Sequence, residues 1–284
     1  MKPKAPLTAG LKGNEKAVSP AISTVILTGA IVVLLLVTMI FTNDFLEARM
    51  TENEFSAMKQ FIQTVGLQID DVAWIPGRTQ TIRYASRYGR VEFVDKALTY
   101  TVKIRTEAGY WELLGTYTTG ILMFNMPVNK YSLGNNYHER ILPTSGNFVN
   151  IGVTAPASYI FIVEKMPMAD GNYIRIVVVP CIRVLNATIG GEKQLKFYLP
   201  VLNSSGNHPL RSQSVTLAGE TVSVKTRQGY AVNIDVTFRK ASLGFDEDFF
   251  KFAKIQENFT PNTESKVRVE FYVGNVMVAL GLHG

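Results

Sequence analysis

Three histidines, one cysteine and one dense acidic run are the residues of this 284-residue chain whose types could do chemistry. His138, His208 and His283 are far apart and none stands in a metal-binding spacing, so each reads as a loop or tail residue. A helix N-terminus accounts for the acidic run Asp246, Glu247, Asp248 through its dipole, and the run lacks the glycine and distant glutamate of a calcium loop. Cys181 stands alone in IRIVVVPCIRV, which excludes an internal disulfide framework and any multi-cysteine metal site. It reads as a small buried residue. GYWELLGTYTTG has glycines but nothing that would place them before a helix to hold a phosphate. No Gly-x-Ser-x-Gly occurs, nor a Cys/His pair with a base. These residues assemble no catalytic set, and we expect neither an enzyme nor a cofactor.

The chemistry the pattern does support is done to the chain. N-x-S/T sequons stand at Asn186, Asn203 and Asn258, and such a motif is modified where a secreted chain exposes it in a surface loop. Asn203, in NSSG, has surroundings that read as a turn and is the best placed of the three.

What positions everything else is the stretch 16–43, KAVSPAISTVILTGAIVVLLLVTMIFTN. Residues 17–43 carry no charge and are dominated by Ile, Val and Leu. A bilayer core of about 30 Å takes roughly 20 apolar residues in helical form, so the run is long enough to span. Ser19 and Pro20 read as N-cap and first turn. Residues 1–17 hold four lysines against one glutamate and read as a disordered basic leader, which places the chain after the apolar run outside the membrane. An ordinary secretory signal has a shorter apolar core and a small-residue site at its far end, where this chain reads MIFTNDFLEARM.

Lys16-Ala17-Val18-Ser19-Pro20 followed by a long Ile/Val/Leu helix resembles the class III signal of archaeal type IV pilins. The resemblance implies a prepilin-type peptidase that cuts between Ala17 and Val18, after a basic and a small residue. It also implies polymerisation with copies of itself or with related pilins, first in the cell membrane and then in a surface filament. Helix assembly then falls to Ile22, Val25, Gly29, Val33 and Leu36, with small residues such as Ser23 and Ala30 allowing close approach. Bacterial relatives carry glutamate at the fifth mature position; here it is Ile22. The alternative is an uncleaved single-span protein whose external domain binds a ligand or partner.

Beyond the apolar run, 44–70 reads as amphipathic helix. Phe55, Met58, Ile62, Val65 and Ile69 form a stripe spaced 3, 4, 3, 4, which we expect to be a core contact of the following domain. Trp74-Ile75-Pro76-Gly77 ends it. From 78 to 284 the signal is β: TQTIRYAS and VEFVD as a hairpin, ten or more strands in all, Pro180 as an edge or bulge, and a phase change at Gly274 as a second bulge. Residues 125–158 read as a long loop or short strands, and 246–258 as a short helix showing Phe249, Phe252 and Ala253 on one face. The expected fold is α+β: a long hydrophobic N-terminal helix (18–76) followed by an antiparallel β-sandwich-type domain of pilin-like layout, in one or two modules. The net charge of +6 owes half to the leader, and no basic run interleaved with aromatics follows, so nucleic acid is not an expected partner.

Overall fold

The computed structural model describes residues 15–190, 192–206, 209, 212–260 and 266–281. Leader residues 1–14, His208 and His283 lie outside them, as do the side chains of 15–21, so Lys16, Ala17 and Val18 are placed by backbone alone. The chain runs α1 (Glu15–Ala73), β1 (Thr79–Arg83), β2 (Arg90–Arg105), β3 (Trp111–Pro127), β4 (Tyr137–Leu142), β5 (Val149–Ile151), β6 (Ser158–Glu164), β7 (Tyr173–Pro180) and β8 (Ile182–Ile189). It continues through β9 (Glu192–Ser204), β10 (Ser214–Gly229), β11 (Ala231–Phe238), α2 (Glu247–Phe250), β12 (Gln256–Phe259) and β13 (Val267–Leu280). Two compact units result, divided between Met50 and Thr51. A long apolar helix is followed by a mostly antiparallel β-rich domain.

In the first unit, α1 begins at Glu15, four residues before Ser19. Pro20 has no N–H for the carbonyl of Lys16, so the turn ahead of it is the least supported of the helix. In the second unit, Phe55, Met58, Ile62, Val65, Ile69 and Val72 are at most 4% exposed. They pack into a core cluster with Leu122, Phe124, Ile160, Ile162, Ile176 and Val178 of β3, β6 and β7, and with Val215, Val276 and Val278 of β10 and β13. At Gly66 α1 lies close against the strands: a Cβ there would stand 2.7 Å from Ile160 Cδ1, and Gly66 O accepts from the Ser158 hydroxyl at 2.9 Å.

Among the described residues the strands form a six-stranded sheet, β1-β10-β13-β9-β8-β5, and a seven-stranded sheet, β12-β11-β2-β3-β7-β6-β4. A second core cluster draws on both, with Tyr100, Met123, Phe161, Val177 and Ile234 from the larger sheet and Val184, Leu195, Phe197, Val269 and Phe271 from the smaller. Side chains alternate between strand faces. The odd residues Phe161 and Val177 therefore enter this cluster while the even residues Ile160, Ile162 and Val178 meet α1. Burial on both faces explains the apolar run of β6 and that of β7, which only the buried Arg175 interrupts.

Several expectations change. The sheets are not purely antiparallel: β9 runs parallel to β13, with Phe197 opposite Phe271 and Tyr198 opposite Tyr272, and β5 runs parallel to β8. Between β9 and β13 the chain crosses to the other sheet for β11 and β12, and so re-enters from the same end. TQTIR and VEFVD form no hairpin; β1 pairs with β10 and β2 with β3 and β11. The loop between them is instead held by the Glu54 carboxylate. It accepts from the backbone N–H groups of Arg87, Tyr88 and Gly89 at 3.0 Å each and from the Ser86 hydroxyl at 2.7 Å. Charge-assisted bonds of this kind fix a loop conformation that strand propensity alone would not choose. Glu164, wholly buried at the end of β6, does the same for the Ser132 hydroxyl and the Leu133 and Gly134 N–H groups.

Pro180 marks no edge. It closes β7, which lies between β3 and β6, at the point where the chain leaves one sheet for the other. Residues 246–258 are one helical turn, α2, followed by strand β12. Lys251 adopts φ +44° there, and Phe249, Phe250 and Phe252 all enter the core while Ala253 stays exposed. Aromatics at i, i+1 and i+3 cannot share one helical face, so the helix ends.

Candidate functional site

Among the described residues the longest run of exposed apolar side chains lies on α1. From Ile22 to Leu46 sixteen large apolar side chains are exposed, far beyond the scattered single exposures normal for a water-facing surface. The five residues that the resemblance would give to helix assembly belong to it: Ile22, Val25, Val33 and Leu36 are 52–71% exposed, and a Cβ on Gly29 would meet nothing within 4 Å. Thr38 donates its hydroxyl to Leu34 O at 2.7 Å, which satisfies that polar group inside the helix. Among the described residues one helix is long and apolar enough to cross a membrane, and this is it. The stretch 22–43 of this helix carries no charged side chain. It can be buried in lipid or against other apolar helices.

The titratable candidates do not converge. Among the described residues no group of three or more His, Cys, Asp or Glu side chains is placed to hold a metal. Asp246 caps α2 by accepting from Phe249 N at 3.1 Å and is clamped by Lys165, whose ammonium lies 2.6 Å from its Oδ2. Glu247 and Asp248 occupy the first turn, where the helix dipole favours them. Cys181 is fully buried. Burial pushes its thiol well above the usual range, so it is unreactive.

His138, on β4, stacks on Phe161 at 5.1 Å between centroids. Burial, and then the nearby Lys251 and Arg140 charges, lower it from 6.5 to about 4, against a hydrogen bond with the Phe250 backbone that raises it. Below pH 6.5 the unfolded chain therefore takes up a proton that the folded protein refuses until about pH 4. Stability should fall across that window by about 2 kcal/mol, part of the full linkage value being lost to solvent screening. Glu139, lowered chiefly by its Lys59 hydrogen bond, and Glu270, lowered chiefly by its Tyr272 hydrogen bond, act only at more acid pH. Urea melts from pH 7 to 4.5 should show this slope, and His138→Phe should flatten it. An unchanged slope in that variant would place the titration elsewhere.

The sequons fall in three different settings. Asn186 is exposed on β8. Asn203 stands in strand β9 and not in a turn, which starts beyond Ser204, and its Nδ2 donates to Asn275 Oδ1 at 3.4 Å. Asn258 is exposed on β12, an end strand of the larger sheet, where its Oδ1 accepts from Asn233 Nδ2 at 2.7 Å.

Sequence reasoning missed one feature. Asn258 lines an open cleft of about 310 Å3 together with Lys103, Trp111, Asn233 and Gln256. Four adjacent strands contribute to it, with Asn258 opposite Asn233, Asn233 opposite Lys103, and Trp111 opposite Arg105 in the next strand pair. The only signal was the alternation of β2 and β11, which sends Val102, Ile104, Val232 and Ile234 inward and these polar residues outward. Strand order, which brings them together, leaves no local trace.

No family model matches the chain, and no curated protein or solved structure matches it.

Proposed function

We propose that this chain is a structural subunit of a type IV pilus-like surface filament of archaeal type. It is made as a precursor with its N-terminus on the cytoplasmic side and is cut between Ala17 and Val18. The observation that carries the reading is the exposed apolar surface of α1 from Ile22 to Leu46, directly behind the signal-like Lys16-Ala17-Val18. In the precursor that surface is buried in lipid. In the filament the same side chains are buried against neighbouring copies, at about 25 cal/mol per Å2 of apolar area. A head-to-tail contact that does not close into a ring extends as an open helix.

The two sheets then form a β-sandwich of pilin type, displayed on the outside for adhesion. No catalytic role is assigned to it. The test is electron microscopy and sedimentation of protein from its native cells after detergent removal. Concentration-dependent filaments support the reading, and a protein that stays monomeric without its membrane supports the uncleaved single-span alternative.

A further inference from the structure

We infer that Asn258 carries an N-linked sugar whose first ring lies on Trp111. The inference rests on the external placement of the β domain under the proposed function. Its own support is the geometry around Asn258.

The sequon Asn258-Phe259-Thr260 stands on an exposed strand and, unlike Asn203, does not donate from its amide nitrogen to a neighbouring asparagine. At Asn203 the nitrogen that would be modified is donated to Asn275, and the strand has partners on both sides. At Asn258 the hydrogen bond from Asn233 is accepted by the oxygen, which orients the carboxamide and leaves the nitrogen on an exposed side chain. The strand is at the end of its sheet, so a transferase reaches it without displacing a neighbour.

The cleft beside it has the composition a sugar requires. A pyranose offers an apolar face of C–H groups and a rim of hydroxyls. Trp111, 47% exposed, supplies the flat aromatic surface. The Asn233 and Gln256 amides offer donors and acceptors at the rim. Lys103 is neutralised by Asp235 at 3.2 Å, so the cleft carries no uncompensated charge and suits a neutral or N-acetylated sugar. Its volume stands at the small end of the range for ligand sites, about 300–1,000 Å3, which matches one ring better than an extended chain.

The donor is a sugar carried on a lipid phosphate or diphosphate. Asn258 Nδ2 forms a bond to the anomeric carbon as the sugar–phosphate C–O bond breaks. The lipid phosphate leaves with the bonding electrons and the amide gives up one proton.

Two measurements test this. Peptide mass spectrometry of the full-length protein from native cells should find the Asn258 peptide heavier by at least one sugar residue. A bare Asn258 peptide overturns the inference. The Tm of Asn258→Gln, Trp111→Ala and the double variant should then be non-additive in protein from native cells and additive in protein from a host without N-glycosylation. Additivity in both overturns the seat on Trp111. The mature N-terminus keeps this result apart from the filament reading. A bare Asn258 with a start at Val18 sinks only the glycan, whereas a sugar at Asn258 with a start at Met1 sinks only the processed filament subunit.

Discussion

Gly274→Ala should lower the Tm of the β domain by about 6–12 °C, corresponding to about 3 kcal/mol. Gly274 lies in β13 directly beneath the end of α1. A Cβ there would stand 2.3 Å from Ala73 O and 2.9 Å from Ala73 C. Gly219 of β10 is in the same position, at 2.5 Å from Val72 O and 2.7 Å from Ile75 O. The obstacles are backbone atoms, so no side chain can turn aside. The chain is also tied down there, because Gly77 N donates to Gly219 O at 2.7 Å and Gly219 N to Arg78 O at 2.8 Å. Either α1 lifts off the strands or the strands part. The control is Gly29→Ala, which has open space around it and should leave the melt of the domain unchanged. A Gly274→Ala protein that melts like the parent would mean the helix end does not rest on this strand.

The other large effect is expected from Val33→Asp. Val33 is near the middle of the uncharged run and is 60% exposed. A carboxylate at the centre of a spanning helix costs about 3 kcal/mol on insertion. In a bundle of such helices each copy would bury an unpaired charge, and every contact along a polymer repeats the cost. Membrane retention should drop and sedimentable polymer should disappear. The urea midpoint of the domain should stay where it is, because Val33 is outside the unit Thr51–Gly284. Polymer formed as readily as by the parent would move the assembly face away from this helix.

How much of this was readable in advance depended on how local the cause was. The stripe Phe55, Met58, Ile62, Val65, Ile69 was legible because one helix face meets one core, and all five are buried. The hairpin joining β2 to β3 has an equally local cause, because Gly109, at φ +81°, makes the turn between two alternating runs. The phase change at Gly274 is visible in the sequence, but it is not a bulge in β13. That strand keeps register with β9 throughout. Val269, Phe271 and Val273 point into the core shared by the sheets, while Val276, Val278 and Leu280 point from the opposite face toward α1. The irregularity is in β10, between Gly219 and Thr221. Alternation reveals a buried face but not which of two cores buries it. The Glu54 loop clasp and the cleft beside Asn258 were illegible for the same reason, since their partners are distant in the chain. At the N-terminus the signal was local throughout: a basic leader, the Lys16-Ala17-Val18 boundary and the apolar run behind it.

The most direct measurement is the N-terminal sequence, together with the intact mass, of the protein recovered from native cells. A start at Val18 is the predicted result: a prepilin-type cut after Lys16-Ala17 that leaves the apolar helix on the mature chain. A start at Met1 or Lys2 would contradict it and leave a signal-anchored β domain.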